Sequence, residues 1–174
     1  MRIESKHILL LLFFLGICRS LWAQLPEDQI KSAFVEKFTH FIEWPDDTIQ
    51  NQPFVIFVFP DSPLLPFLSS LFKQHRVKSK SVHLLVTDNL NLLDSAHIVL
   101  IHQKQQHLMP LILTHIKNKP VLTIGDYPDF LEDGGILLLY KEEETLRFAI
   151  NVTALSQTGL SVSSQLLKLA KLYR

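Results

Sequence analysis

The chain has 174 residues, 47% hydrophobic and 20% charged, with 17 basic residues balancing 17 acidic ones. That length and apolar content describe one domain able to bury its own core and exclude a disordered chain. Balanced charge excludes the electrostatic footprint of a general nucleic-acid binder, and a single Cys excludes an internal disulfide or a Cys-rich zinc site.

Residues 1–23 read as a secretory signal peptide. Arg2 and Lys6 precede an unbroken apolar run from Ile8 to Ile17, and Leu21-Trp22-Ala23 sets a small residue before Gln24. The expected cleavage lies between Ala23 and Gln24. The run spans only ~15 Å as a helix, about half a bilayer core, and Arg19 interrupts its extension. Lipidation at Cys18 would require a small residue where Ile17 stands. Cleavage would remove Arg2, Lys6, Arg19, Glu4 and Cys18. The remaining domain, 24–174, would carry two more acids than bases and no Cys in an oxidising compartment.

Along that domain, Glu27–Ile42 shows apolar residues Ile30, Phe34, Phe38, Phe41 and Ile42 at helical spacing, stopped by Trp44-Pro45. Phe54–Phe59 is a continuous apolar run between two prolines, expected as a strand buried on both faces. A helix over Pro63–Gln74 follows, then a basic loop, a strand at Val82–Val86, a short helix or turn at Leu90–Ser95 and a strand at His97–Ile101. Pro110–Lys117 reads as a helix stopped by Asn118 and Pro120, and Val121–Ile124 as a strand. The Asp133-Gly134-Gly135 turn leads into strand Ile136–Tyr140, joined to strand Leu146–Ile150 as an antiparallel hairpin. Asn151 is placed to cap a short helix ending at Gly159, and a last helix is expected over Ser163–Leu172. This alternation predicts a three-layer α/β domain: a mostly parallel sheet of about six strands, helices on both faces, and a C-terminal hairpin plus helix.

Chemical motifs are sparse. The first strand is followed by Pro60-Asp61-Ser62-Pro63, with no Gly to let the backbone wrap a phosphate. G-x-G-x-x-G, P-loop and G-x-S-x-G patterns are absent, so no cofactor is expected. Asp46-Asp47 precede the first strand, whereas a phospho-accepting site needs acids after it. Seven His remain after the leader (His40, His75, His83, His97, His102, His107 and His115), and none is paired at i, i+4. Structural or surface roles are expected for them, with no metal site. Ser161, Ser163 and Ser164 suit helix capping, Glu142-Glu143-Glu144 a charged hairpin tip, and Gly125, Gly134, Gly135 and Gly159 turns. A hydrolase would instead need perturbed titratable residues gathered in one pocket.

Several segments, in order, resemble the YfiR family of periplasmic proteins: FTHFIEWP (38–45), FVIFVF (54–59), HIVLI (97–101), LTIGD (122–126), FLEDGGIL (130–137), LRFAIN (146–151) and LSVSSQLLKLA (160–170). The resemblance implies an α/β regulator without catalytic activity, no enzyme, located in the periplasm. It implies a partner, the periplasmic region of an inner-membrane diguanylate cyclase or related signalling protein, whose cyclic-di-GMP synthesis it restrains and through it biofilm formation. It also implies sequestration by an outer-membrane lipoprotein, and a homodimer. Trp44, Phe130 and Phe148 match motif positions; they are partner-binding residues if exposed and core residues if buried. Two departures stand out: the domain lacks the family's Cys pairs, and Ala149 replaces a Glu common in the Phe-x-Ile-Asn strand. The alternative from a different class is a periplasmic small-ligand-sensing module with a cleft at the strand ends.

Overall fold

The computed structural model describes residues 25–45 and 53–174. The leader with Cys18, the Ala23–Gln24 junction and Asp46-Asp47 lie outside the described residues. In chain order the elements begin with α1 (Glu27–Phe41), β1 (Ile42–Glu43), β2 (Phe54–Val58), α2 (Leu65–Phe72), β3 (Val82–Val86) and a 3-10 turn (Leu90–Ser95). They continue with β4 (Ile98–Ile101), a second 3-10 turn (Gln103–Leu108), α3 (Met109–His115), β5 (Leu122–Gly125), β6 (Leu137–Glu142) and β7 (Thr145–Asn151). The chain closes through α4 (Val152–Ser156), β8 (Ser161–Val162), α5 (Ser164–Leu169) and β9 (Lys171–Tyr173).

Seven strands form the main sheet in the order β3-β2-β4-β5-β6-β7-β9. All neighbours from β3 to β6 are parallel, β7 returns antiparallel, and β9 runs parallel to β7. Every residue of β2, β4 and β5 is buried, as continuous apolar runs require when helices cover both faces. One face packs Phe54, Ile56, Ile98, Leu100 and Leu137 against Val35 and Phe38 of α1, Leu68 of α2 and Leu166 of α5. The other packs Phe57, Val99 and Ile101 against Leu93, Met109 and Ile112.

Local signals are realised as hydrogen bonds. The Asn151 side chain accepts from the Ala154 amide at the start of α4, and Ser163 accepts from the Leu166 amide at the start of α5. Asn118 and Gly159 take positive φ after their helices, at 58° and 75°. The acidic tip is a two-residue turn with Glu143 at φ 53°. Asn151 also donates from Nδ2 to the Leu131 carbonyl at 3.0 Å, tying the turn before β6 to the end of β7. Asn151→Ala removes a cap and a buried bond, so a loss of about 2 kcal/mol is expected in urea unfolding.

Three expectations are corrected. The last helix stops at Leu169; Ala170 is extended and residues 171–173 become a seventh strand at the sheet edge. The spacing of Leu166, Leu169, Ala170 and Tyr173 fits a helix, but a three-residue strand is too short to show its own alternation. The first helix stops at Phe41, because Ile42 and Glu43 pair with Val162 and Ser161 in a two-stranded ladder. Gly125 and Gly135 have no positive φ; they make room for a ring, because a Cβ at either would stand 2.3 or 2.2 Å from Phe130. Gly134, at φ 97°, keeps the turn role.

Candidate functional site at the carboxyl ends of the strands

Three polar residues follow the carboxyl ends of three adjacent strands: Ser62 after β2, His102 directly after β4 and Asp126 directly after β5. Their side chains are joined. His102 Nδ1 lies 3.1 Å from Asp126 Oδ2, and His102 Nε2 lies 2.7 Å from Ser62 Oγ. Because an ionised carboxylate can only accept, His102 Nδ1 carries a proton and donates it to Asp126. Ser62 Oγ in turn accepts from the Leu64 amide at 3.3 Å. Lys31, one turn into α1, donates to the same Asp126 oxygen at 3.0 Å and pairs with Glu27 at 2.9 Å. Residues from three other segments therefore hold one carboxylate, Lys31 and His102 directly and Ser62 through His102.

The charges are largely withdrawn from water. The Lys31 and Asp126 side chains are 12% and 15% exposed. Burial pushes the Asp126 carboxyl upward, but the His102 hydrogen bond and attraction, followed by Lys31, outweigh it and hold the group below the usual carboxylate value. Burial opposes the Lys31 charge too, and hydrogen bonds to Glu27 and Asp126 overcome it, raising the ammonium above its ordinary value. Both shifts favour the charged pair.

β5 pairs with β6 only through Ile124↔Leu137 and Gly125↔Leu138, so β6 runs on past its parallel neighbour. A cavity of about 630 Å³ opens there, lined by Glu27, Lys31 and Asp126, by the loop residues Tyr127 and Leu131, and by strand residues of β6, β7 and β9. Leu138, Tyr140, Ala149, Lys171 and Tyr173 share one sheet face by register and form its floor. Ala149, the departure noted in the Phe-x-Ile-Asn strand, lies in this floor.

The hydrogen-bond order Ser62–His102–Asp126 is that of a nucleophilic triad. Its orientation is reversed for that use: the acid lines the large cavity, whereas Ser62 is 5% exposed and does not line it. A nucleophile needs space for substrate beside its hydroxyl, and here the space is beside the carboxylate. The chain of bonds orients Asp126.

Trp44, Phe130 and Phe148 are 4%, 0% and 8% exposed. Trp44 meets Phe54 edge-on at 4.9 Å and donates to the His97 carbonyl at 3.2 Å; Phe148 packs on Phe34 and Phe38. Burial gives all three packing roles in this conformation. The remaining His residues do not gather: among the described residues no three His, Cys, Asp or Glu side chains are grouped as a metal requires. Sequence reading named His102 only as one of seven His and Ser62 only as a turn residue. The signal available was position: His102 directly follows an all-apolar strand, and Ser62 lies in the turn after another.

The architecture and this site define an α/β domain with a mostly parallel sheet and a cleft at the strand ends. The chain belongs to the YfiR/HmsC-like family, whose model matches residues 28–171. Membership supports, in general terms, a periplasmic regulatory role. A solved structure of a conserved domain protein from Vibrio cholerae O1 biovar El Tor is similar in fold, with a TM-score of 0.52 at 11% identity over 87% of this chain. The chain spans 61% of that protein's length. No curated protein matches. Among the described residues no helix is long and apolar enough to cross a membrane.

Proposed function

We propose that this protein is exported to the periplasm with removal of residues 1–23. There it is a non-enzymatic regulator that binds the periplasmic region of an inner-membrane diguanylate cyclase, restraining cyclic-di-GMP synthesis. The observation that carries this reading is the family match across 28–171. An outer-membrane lipoprotein that competes for the regulator completes the scheme. Regulation is then stoichiometric: the protein shifts the cyclase toward the conformation it binds more tightly.

The surface at the end of the chain supports a protein partner. Among the described residues β9 is an edge strand with one unpaired side, and Leu169 before it and Leu172 and Tyr173 within it are 76%, 45% and 37% exposed. An open edge with apolar side chains is a template for strand addition or for an apolar contact. Trp44, Phe130 and Phe148 would then act on partner binding indirectly, by fixing the packed frame. Deletion of the gene is expected to raise cyclic-di-GMP and biofilm, and crosslinking in the envelope is expected to capture a cyclase. Leu172→Asp should lose that capture while the protein stays folded. Unchanged cyclic-di-GMP together with no captured envelope protein would reject the reading.

A second reading, a small-ligand-sensing module, is favoured by the 630 Å³ cavity, which falls in the usual size range of small-molecule sites. The two readings are compatible, because Lys171, Leu172 and Tyr173 belong both to the open edge and to the cavity lining.

A further inference from the structure

The ligand-sensing reading names no ligand, and the cavity's chemistry narrows the choice. We propose that the cavity binds a small organic cation, an ammonium group attached to an apolar body. This rests on the ligand-sensing reading and adds the chemical class.

The charges around the cavity are unequal in availability. Six charged residues line it: Glu27, Asp126 and Glu132, and Lys31, Lys141 and Lys171. Lys31 is committed to Glu27 and Asp126, and Lys141 to Glu144 at 3.1 Å. Asp126 receives both His102 and Lys31 on Oδ2, leaving Oδ1 with no hydrogen bond from the described residues. Glu132 has no ion-pair partner among the described residues. The end of the cavity built from α1 and the loop after β5 thus carries three carboxylates against one ammonium. Lys171, on β9 across the floor from that end, has no ion-pair partner among the described residues. A ligand ammonium placed at Asp126 Oδ1 adds the missing cation. It does so where Asp126 stays ionised and where apolar walls weaken the competition of water.

The rest of the cavity suits an apolar body. Leu138 and Ala149 form the floor and Leu131 a side, with Tyr140 continuing the floor along β6. The small Ala149 side chain keeps this space open.

The carboxylate is also pre-organised. Holding Asp126 ionised at 15% exposure costs desolvation, and core packing alone has no use for it. Ser62, His102 and Lys31 nevertheless converge to fix this one carboxylate. A charged group oriented by buried supporting bonds at the edge of an apolar cavity is the pattern of a binding residue.

The test is an amide-resolved NMR titration of the purified protein with phenethylammonium and cyclohexylammonium chloride, against 3-phenylpropionate. Both amines are expected to shift Leu138, Ala149 and Tyr173, and the carboxylate is not. Asp126→Asn should weaken amine binding by roughly tenfold or more, the scale of a lost charge-assisted bond. Glu132→Gln, at an exposed position outside the network, should weaken it several-fold. Ala149→Leu, which fills the cavity, should abolish it with the fold retained by circular dichroism. If the carboxylate binds instead and Lys171→Ala removes that binding, the cation class is overturned while ligand sensing stands. If neither series shifts these residues, both fall. Amine binding indifferent to Glu132→Gln and Ala149→Leu lies elsewhere and also overturns the proposal.

Discussion

Phe130→Ala is expected to lower the unfolding free energy by about 3–5 kcal/mol and the melting temperature by on the order of 10 °C. Phe130 is fully buried, its ring edge-on to Tyr127 at 5.3 Å and 87°. It is clamped between two glycines. A Cβ on Gly125 would lie 2.3 Å from the ring and one on Gly135 2.2 Å from it, both far inside van der Waals contact. Deleting the ring leaves a cavity that the β5 and β6 backbones cannot collapse into, because they are held by the parallel pairing Ile124↔Leu137 and Gly125↔Leu138. Gly125→Ala and Gly135→Ala fail in the opposite sense, by overpacking, each costing about 1–3 kcal/mol or more. The coupling is checkable by denaturant unfolding. Gly135→Ala should cost clearly less with Phe130→Ala than with Phe130 present, because Ala lacks the ring atoms Cδ1, Cε1 and Cζ that the new methyl meets. Equal costs in the two backgrounds would mean that Gly135 is needed for its backbone instead.

Asp126→Ala is expected to cost a comparable 3–5 kcal/mol, more than the ~2 kcal/mol for Ser62→Ala, which breaks two uncharged hydrogen bonds, to His102 and from the Leu64 amide. Without Asp126, Lys31 keeps only Glu27, and His102 Nδ1–H faces an empty position. The pH dependence has two limbs with defined signs. The Asp126 pKa is lower in the folded protein than its ordinary 3.8. Its contribution is therefore complete above that value and is lost as pH falls below 3.8 through the folded pKa. The Lys31 pKa is raised above 10.5, so its contribution is complete below 10.5 and is lost as pH rises through the folded value. Between those windows the pair contributes a constant amount. Urea unfolding from pH 2 to 11 should show both limbs in the unmodified protein and a shallower acid limb in Asp126→Ala. An unchanged acid limb would assign acid sensitivity to other carboxylates, such as Glu36, whose pKa is also lowered by His40 and Lys37 against its burial.

The central strands could be read from the residues because burial on both faces demands apolar runs, and FVIFV and IVLI have no other economical reading. The caps were equally legible: Asn151, Ser163 and Asn118 act within three or four residues of their own position. Elements without local signals stayed hidden. β1, β8 and β9 have two or three residues each and exist only as partners of distant segments. Phe130 could be placed among core candidates, yet nothing local shows that Gly125 and Gly135 are small for its sake.

The sequence by itself determined the composition of the site's surroundings: apolar strands that each end in a turn, with Ser62, His102 and Asp126 just beyond. It also determined that these groups must find partners once carried inward, since a buried polar group without one costs free energy. Only the tertiary structure decided which partners. The sheet order sets β2, β4 and β5 side by side, with β3 displaced to the edge, so three residues remote in sequence meet at hydrogen-bond distance. α1 then brings Lys31 to an acid 95 positions away. Strand order and helix docking are settled by the whole core at once, and no local stretch of the chain encodes them.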